Sequence, residues 1–147
     1  MLRTFLRRRA SFPEAMKGRR IGLAALATLA AAATGLYEHY ALSRQKLQMY
    51  ADNSAQYAVE ALLQGGDPSE RVLGVVKRHR LALEAAPQIE TPPVGGGFSG
   101  DRRAVRVRLA GRWRPRFLLG LVSAPMEVRA TAAALPSGSG LAVLRME

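Results

Sequence analysis

The chain has 147 residues and a formal net charge of +11, with 22 Lys and Arg against 11 Asp and Glu. It contains no cysteine and two histidines, which excludes disulfides, thiolate metal sites, cysteine nucleophiles and multi-histidine metal centres. The length allows one domain, or a small domain with an extension, and excludes a large two-lobed catalytic core.

The N-terminal segment is strongly basic and is followed by an uncharged run. Residues 1–20 hold seven Lys or Arg against one acid, Glu14, and no charged residue occurs in the 17 positions from Ile21 to Tyr37. As a helix, this run spans about 25 Å, against a hydrocarbon core of about 30 Å. The sequence predicts a cytoplasmic segment over 1–20, a transmembrane helix over 21–37 and export of the rest, because basic flanks stay in the cytoplasm.

Two alternatives remain open for the uncharged run. It is also compatible with a buried, alanine-rich helix of a soluble protein, or with a cleaved export signal. Arg7-Arg8-Arg9 followed by Phe12 resembles a twin-arginine signal, and Ala31-Ala32-Ala33 offers a small-residue cleavage site. Helical periodicity that continues unbroken beyond Tyr37 favours a helix that stays on the mature protein.

Small residues recur every four positions along the predicted membrane helix. Such rows allow two membrane helices to approach closely, so we predict contact with partner helices, although an alanine-rich composition alone also produces them. The two rows consist of Ala24, Thr28 and Ala32, and of Ala27, Ala31 and Gly35.

The helical pattern continues over 38–64 as an amphipathic stalk. Apolar residues follow at spacings of three and four, and no Pro or Gly occurs until Gly65-Gly66-Asp67-Pro68, which is a strong stop signal. A lone helix would leave its apolar stripe in water. We therefore predict contacts with the rest of the chain or with a partner at Leu47, Tyr50, Ala58 and Leu62.

Residues 65–135 are predicted to form a small head. A second helix is expected over Pro68–Ala86, and alternating side chains predict strands over Arg103–Leu109 and Met126–Ala134, with Arg106 and Arg108 on a wet face. A turn is expected over Gly111–Pro115. The predicted class is α+β: a long N-terminal helix, transmembrane and then amphipathic, and a two- or three-stranded antiparallel sheet. The tail, 136–147, is expected to be loose or to add a short strand.

This arrangement resembles the TadE/TadG-like family of Tad (Flp-type) pilus assembly proteins. Lys17-Gly18-Arg19-Arg20 precedes the apolar run, and residues 41–58 resemble the family pattern R-x-x-L-Q-x-A-A-D-A-A-A-L-A. Between two strands of the segment 105–134, the Pro-x-Phe-Leu-Leu sequence also matches; its residues are Pro115, Phe117, Leu118 and Leu119. The order and spacing of these motifs cover most of residues 17–134.

The resemblance implies a pilin-like fold and a non-enzymatic, minor-pilin-like role in assembling a Tad pilus or a related secretion machine. It implies a single-pass protein of the bacterial inner membrane with a periplasmic head, whose partners are other Tad proteins or pilins. Two features depart from the family. The chain is too short for the large adhesion-like domain of TadG-type proteins, and neither Gly18 nor Gly22 has the Glu five residues later that prepilin processing generally requires.

The residues indicate no catalytic or cofactor chemistry. His39 is expected at the membrane interface, and His79 lies in the basic stretch Lys77–Arg80, a solvated helix face. Gly95-Gly96-Gly97 precedes no Lys-Ser/Thr and so does not match a phosphate loop. The chain is therefore predicted not to be an enzyme and to bind no metal, cofactor or small-molecule substrate.

The arginines of the head indicate a second, separate role. Lipid headgroups, anionic cell-wall polymer and single-stranded nucleic acid all attract such a surface, although the predicted orientation argues against nucleic acid. A solvated basic surface is the simplest interpretation. A basic periplasmic module that binds anionic lipid or wall polymer is the alternative function, with contacts at Arg112, Trp113, Arg114 and Arg116.

Overall fold

A computed structural model describes residues 12–134 and 141–144. The predictions for residues 1–11, 135–140 and 145–147 lie outside the described residues. The chain divides into two compact units, residues 1–38 and 39–147. The α+β class is confirmed. Its elements are helices α1 (Phe12–Leu63) and α2 (Pro68–Arg78), and strands β1 (Gln88–Glu90), β2 (Ala104–Trp113), β3 (Ala124–Ala134) and β4 (Leu141–Leu144).

The first unit contains the N-terminal part of α1, which begins at Phe12 rather than near residue 20 as expected. Leu23, Leu26 and Leu29 are each about two-thirds exposed, at 67%, 65% and 68%. The hydroxyls of Thr28 and Thr34 donate to carbonyls one turn earlier, at 2.9 Å. This part of the helix therefore presents apolar side chains to its surroundings while its hydroxyls are satisfied internally.

Within residues 12–134 and 141–144, no helix combines the length and the apolar character needed to cross a membrane.

The second unit is organised around the C-terminal part of α1. Buried residues recur along this helix at spacings of three and four, so they form one face. Most of their side chains are small, which lets the helix lie close to its neighbours. Leu47 reaches β2, where its Cδ2 lies 3.4 Å from the position that a Cβ on Gly111 would occupy. Gln48 donates to the Arg129 carbonyl of β3 at 2.7 Å. The buried face comprises Leu47, Ala51, Ser54, Ala55, Ala58, Val59 and Ala61.

The sheet has four antiparallel strands in the order β1-β2-β3-β4, one more than the largest number expected. β2 pairs with β3 over its full length, from Ala104 opposite Ala133 to Trp113 opposite Ala124. The turn expected at Gly111–Pro115 is wrong in its first half, because Gly111 stays in the ladder opposite Met126. A glycine suits this position since the Leu47 side chain fills the space above it.

Helix α2 is shorter than predicted. Its start matches the expectation: Pro68 follows Asp67, whose carboxylate accepts a hydrogen bond from the Ser69 amide at 2.8 Å. The expected extension to Ala86 is wrong. The helix stops at Arg78 and Arg80 takes a left-handed φ of 49°. The following backbone is used by the sheet instead, since the Glu84 amide donates to the Ala110 carbonyl at 2.9 Å.

Arg106 is buried, and its predicted place on a wet face of β2 is wrong. The residue is 7% exposed. Its guanidinium donates to the Glu90 carboxylate at 3.2 Å and to the carbonyls of Val94 and Gly95 at 2.8 and 2.6 Å. It also donates to the Thr131 hydroxyl at 3.3 Å. One side chain thus joins β1, β2, β3 and the loop that follows β1.

We expect Arg106→Met to lower the free energy of unfolding by about 3 kcal/mol, because it removes several charge-assisted hydrogen bonds that a buried guanidinium makes to three segments of the unit. Arg103→Met is the matched control. Arg103 has a half-exposed side chain paired with Asp101, so its loss costs at most about 1 kcal/mol. Denaturant unfolding of both full-length variants, followed by circular dichroism, measures the difference. Equal stability losses would contradict a structural role specific to Arg106.

Candidate functional site

Four ring-bearing residues form an aromatic cluster at the Trp113 end of β2: His39, Tyr40, Trp113 and Phe117. The Trp113 indole Nε1 donates to His39 Nδ1 at 2.8 Å. Two pairs of rings pack edge-on: the ring centroids of Tyr40 and Trp113 lie 5.6 Å apart, and those of His39 and Phe117 lie 5.5 Å apart. Trp113 is only 6% exposed. The cluster therefore joins the first turn of the second unit to the end of the central strand.

Strand alternation in β2 and two neighbouring residues of α1 bring most of this cluster together. Side chains alternate along β2, so Trp113 lies on the same face as Val107 and Leu109, which are both fully buried. His39 and Tyr40 are adjacent on α1, and the Tyr40 hydroxyl donates to the Pro125 carbonyl of β3 at 3.3 Å. Helix α1 is thereby fixed to both central strands.

Residues 114–123, named here the tip loop, connect β2 to β3 directly beyond the aromatic cluster. The loop contains a short 3-10 turn, Arg116–Leu118, followed by Leu119 with φ 48° and Gly120 with φ 81°. Three of its large apolar side chains are exposed: Phe117 at 61%, Leu119 at 91% and Leu121 at 86%. The tip loop thus places large apolar groups at the surface on a tight turn.

Basic side chains accompany these apolar groups, but the four predicted anionic contacts are not equivalent. Arg112 forms an ion pair with Glu84, and Trp113 is buried in the aromatic cluster. Arg114 and Arg116 are exposed and make no ion pair with any residue that the structure describes. Only this second pair is therefore both charged and free to meet an external anion.

The other predicted contact residues divide between the two units. In the second unit, Leu47 and Ala58 are buried, while Leu62 and Tyr50 are partly exposed and the Tyr50 ring lies 4.8 Å from the His79 ring. The small residues of the first unit have exposed side chains or, at Gly35, open space within 4 Å of the point where a Cβ would lie. The two exposed rows are Ala24, Thr28 and Ala32, and Ala27, Ala31 and Gly35.

A cleft of about 530 Å³ lies between the end of α1 and α2. Its charged lining consists of Asp67, Glu70, Arg71 and Arg78. The Asp67 carboxylate caps α2 and so already has a partner. Across the described ranges, no group of three or more His, Cys, Asp or Glu is arranged to hold a metal ion.

Sequence reasoning identified the arginines of this region but not the exposure of the apolar residues in the tip loop. Residues 116–121 are typical of a short apolar helical turn, and the 3-10 turn covers the first half of that segment. The one sequence signal that could have indicated this exposure is the pair Pro115 and Gly120, which places Leu119 in a short turn with Leu121 directly after it.

No protein-family model, curated protein or solved structure matches the chain. The features of the chain that bear on function are an exposed apolar helix, an α+β unit built on the continuation of that helix, and the aromatic cluster with its tip loop.

Proposed function

We propose that this protein is a non-enzymatic, single-pass protein of the bacterial inner membrane, with a minor-pilin-like role in assembling a Tad pilus or a related secretion machine. The observation that carries the proposal is the use of one helix for two purposes. Its C-terminal part is the buried spine of an α+β unit, whereas residues 22–38 expose their side chains almost throughout. The resemblance of most of residues 17–134 to TadE/TadG-like proteins supports the same assignment.

The exposed part of the helix requires an apolar or protein environment. Leu23, Leu26 and Leu29 would leave large apolar surfaces in water. In a bilayer, each leucine contributes only about −0.3 to −0.6 kcal/mol towards insertion, and the uncharged run is short. We therefore propose an anchor whose environment is completed by neighbouring membrane helices, which pack against its rows of small residues.

The first test of the proposal is topology. A reporter active only in the periplasm, fused after Glu147, is expected to be active, because the basic segment 1–20 holds the N-terminus in the cytoplasm. Activity only from a cytoplasm-specific reporter would overturn the proposal. Intact mass of the membrane-extracted protein completes the test. A full-length chain supports a retained anchor, whereas a species that begins near Thr34 or Arg44 supports the released binding module.

Packing of the anchor gives a second prediction. Ala31→Ile is expected to lower cross-linking to partner helices by at least about fivefold, because the added side chain keeps the backbones apart and removes about 1 kcal/mol of helix association. Ala30→Ile is the matched control, since Ala30 is the adjacent residue and belongs to neither row. The measurement is in-membrane cross-linking of both full-length variants. Equal loss in both would contradict a specific packing face.

A further inference from the structure

The backbone of the tip loop indicates that its leucines serve something outside the fold. Leu119 takes a left-handed φ of 48° and is followed by Gly120 at 81°. A leucine in this region is strained because its Cβ crowds the neighbouring carbonyl, whereas Gly or Asn adopts it easily. The Leu119 side chain is also 91% exposed, so the folded unit gains almost nothing from it.

The charge around the tip loop limits the kinds of partner that could bind there. No Asp or Glu occurs from residue 102 to residue 126. Arg114 and Arg116 are exposed and unpaired within the described part of the chain. A partner of this surface must therefore offer negative charge to the arginines and an apolar phase to Phe117, Leu119 and Leu121. A soluble anionic polymer supplies the first but not the second, whereas a bilayer with anionic headgroups supplies both.

The contacts at the base of the tip loop are consistent with a bilayer as its partner. Trp113 directly precedes the loop and donates its indole hydrogen bond to His39. His39 is two residues beyond Tyr37, the last residue of the uncharged run. The tip loop is thus tied to the part of the second unit that follows the proposed anchor in the chain.

From these observations we infer that the tip loop is a second, interfacial membrane contact. Phe117, Leu119 and Leu121 enter the boundary between headgroups and acyl chains, and Arg114 and Arg116 bind the phosphates of anionic phospholipids. The contact restricts the orientation of the second unit relative to the bilayer. The inference rests on the proposed membrane anchoring and adds a lipid-binding site to it.

The test uses the absence of cysteine from the chain. Single cysteines are introduced into the full-length protein by Leu119→Cys and, as a control, by Val94→Cys. Val94 is also an exposed apolar loop residue, at 81%, and its carbonyl contacts Arg106 near the opposite end of β2. A third variant, Leu29→Cys, reports on the anchor. Each is labelled with an environment-sensitive fluorophore and reconstituted into vesicles of phosphatidylcholine alone or with phosphatidylglycerol, and quenching by lipid-borne nitroxide is measured.

We expect the label at residue 119 to be quenched several-fold more than the label at 94 in vesicles that contain phosphatidylglycerol. Arg114→Gln combined with Arg116→Gln should lower the equilibrium constant for loop insertion about 30-fold. Leu119→Asn, which suits the left-handed backbone and should not harm folding, should weaken the insertion of a label at Leu121→Cys.

Other outcomes separate this inference from the proposed function. If the label at 29 is quenched while the labels at 119 and 94 are equally unquenched, the anchor stands and the loop contact is wrong. If the label at 119 is quenched while the label at 29 is not, the loop contact stands and the anchor is wrong. Equal quenching at 119 with and without phosphatidylglycerol overturns the role of the arginines. A blue shift at 119 with soluble polyphosphate and no lipid overturns the bilayer as the partner.

Discussion

Leu47→Asp in the full-length chain is expected to abolish the cooperative unfolding transition of the second unit, whereas Met49→Asp should leave it almost unchanged. Leu47 is 8% exposed and lies against Gly111 of β2. Burying a leucine contributes about 1.5–3 kcal/mol, and an unpaired carboxylate in the same place costs several kcal/mol more. Their sum approaches the total stability of about 5–10 kcal/mol that a unit of this size possesses.

Met49 is a close control for this substitution. It lies two residues along the same helix and is 47% exposed, so Met49→Asp makes the same kind of change on the solvent side. Limited proteolysis and near-ultraviolet circular dichroism of the two variants measure the effect, and the single tryptophan, Trp113, reports on the core. If both variants remain protease-resistant, the buried face of α1 does not hold the second unit together.

The sequence was informative wherever one periodicity decided the structure. The spacing of apolar residues after Tyr37 predicted the buried face of α1, and strict alternation predicted the central parts of β2 and β3. These signals are local, because the spacing of apolar residues within one helix or strand is enough to show which face it buries. The α+β class followed from them without knowledge of how the elements pair.

The errors arose where a distant segment changed the surroundings of a local pattern. Alternation placed Arg106 on a wet face, but β1 and the loop at Val94 and Gly95 cover that face and supply acceptors to the guanidinium. The extension of α2 was overestimated because the sheet takes the backbone of Glu84. Neither the β1–loop segment nor the segment around Glu84 has an alternation or helical spacing that shows which part of the chain it contacts.

The sequence likewise indicated some residues of the candidate site and missed others. Charge alone drew attention to Arg114 and Arg116, but charge could not distinguish them from Arg112, which Glu84 neutralises. The exposure of Leu119 and Leu121 depends on the left-handed turn at residues 119 and 120. Leucine rarely adopts this left-handed conformation. A sequence pattern with leucines therefore predicts a buried helix or strand, not an exposed turn.

Trp113→Ala is expected to lower the free energy of unfolding by about 3–5 kcal/mol, which is the usual cost of removing a buried tryptophan side chain. The indole is 6% exposed, packs edge-on against Tyr40 and donates to His39. Trp113→Phe keeps most of the packing but removes the donor, so a smaller loss of about 1–2 kcal/mol is expected. Denaturant unfolding followed by far-ultraviolet circular dichroism is the measurement, since neither variant retains a tryptophan.

Phe117→Ala completes the comparison, because Phe117 contacts the same cluster through His39 but is 61% exposed. We expect it to cost at most about 1 kcal/mol of stability, since most of its surface is not buried by the fold. If Phe117→Ala destabilises the unit as much as Trp113→Ala, the tip loop belongs to the core and its apolar residues have a structural role. If it leaves stability intact and weakens quenching of the label at residue 119, the two residues have separate tasks: Trp113 fixes the base of the loop to helix α1, and Phe117 contributes to the lipid contact.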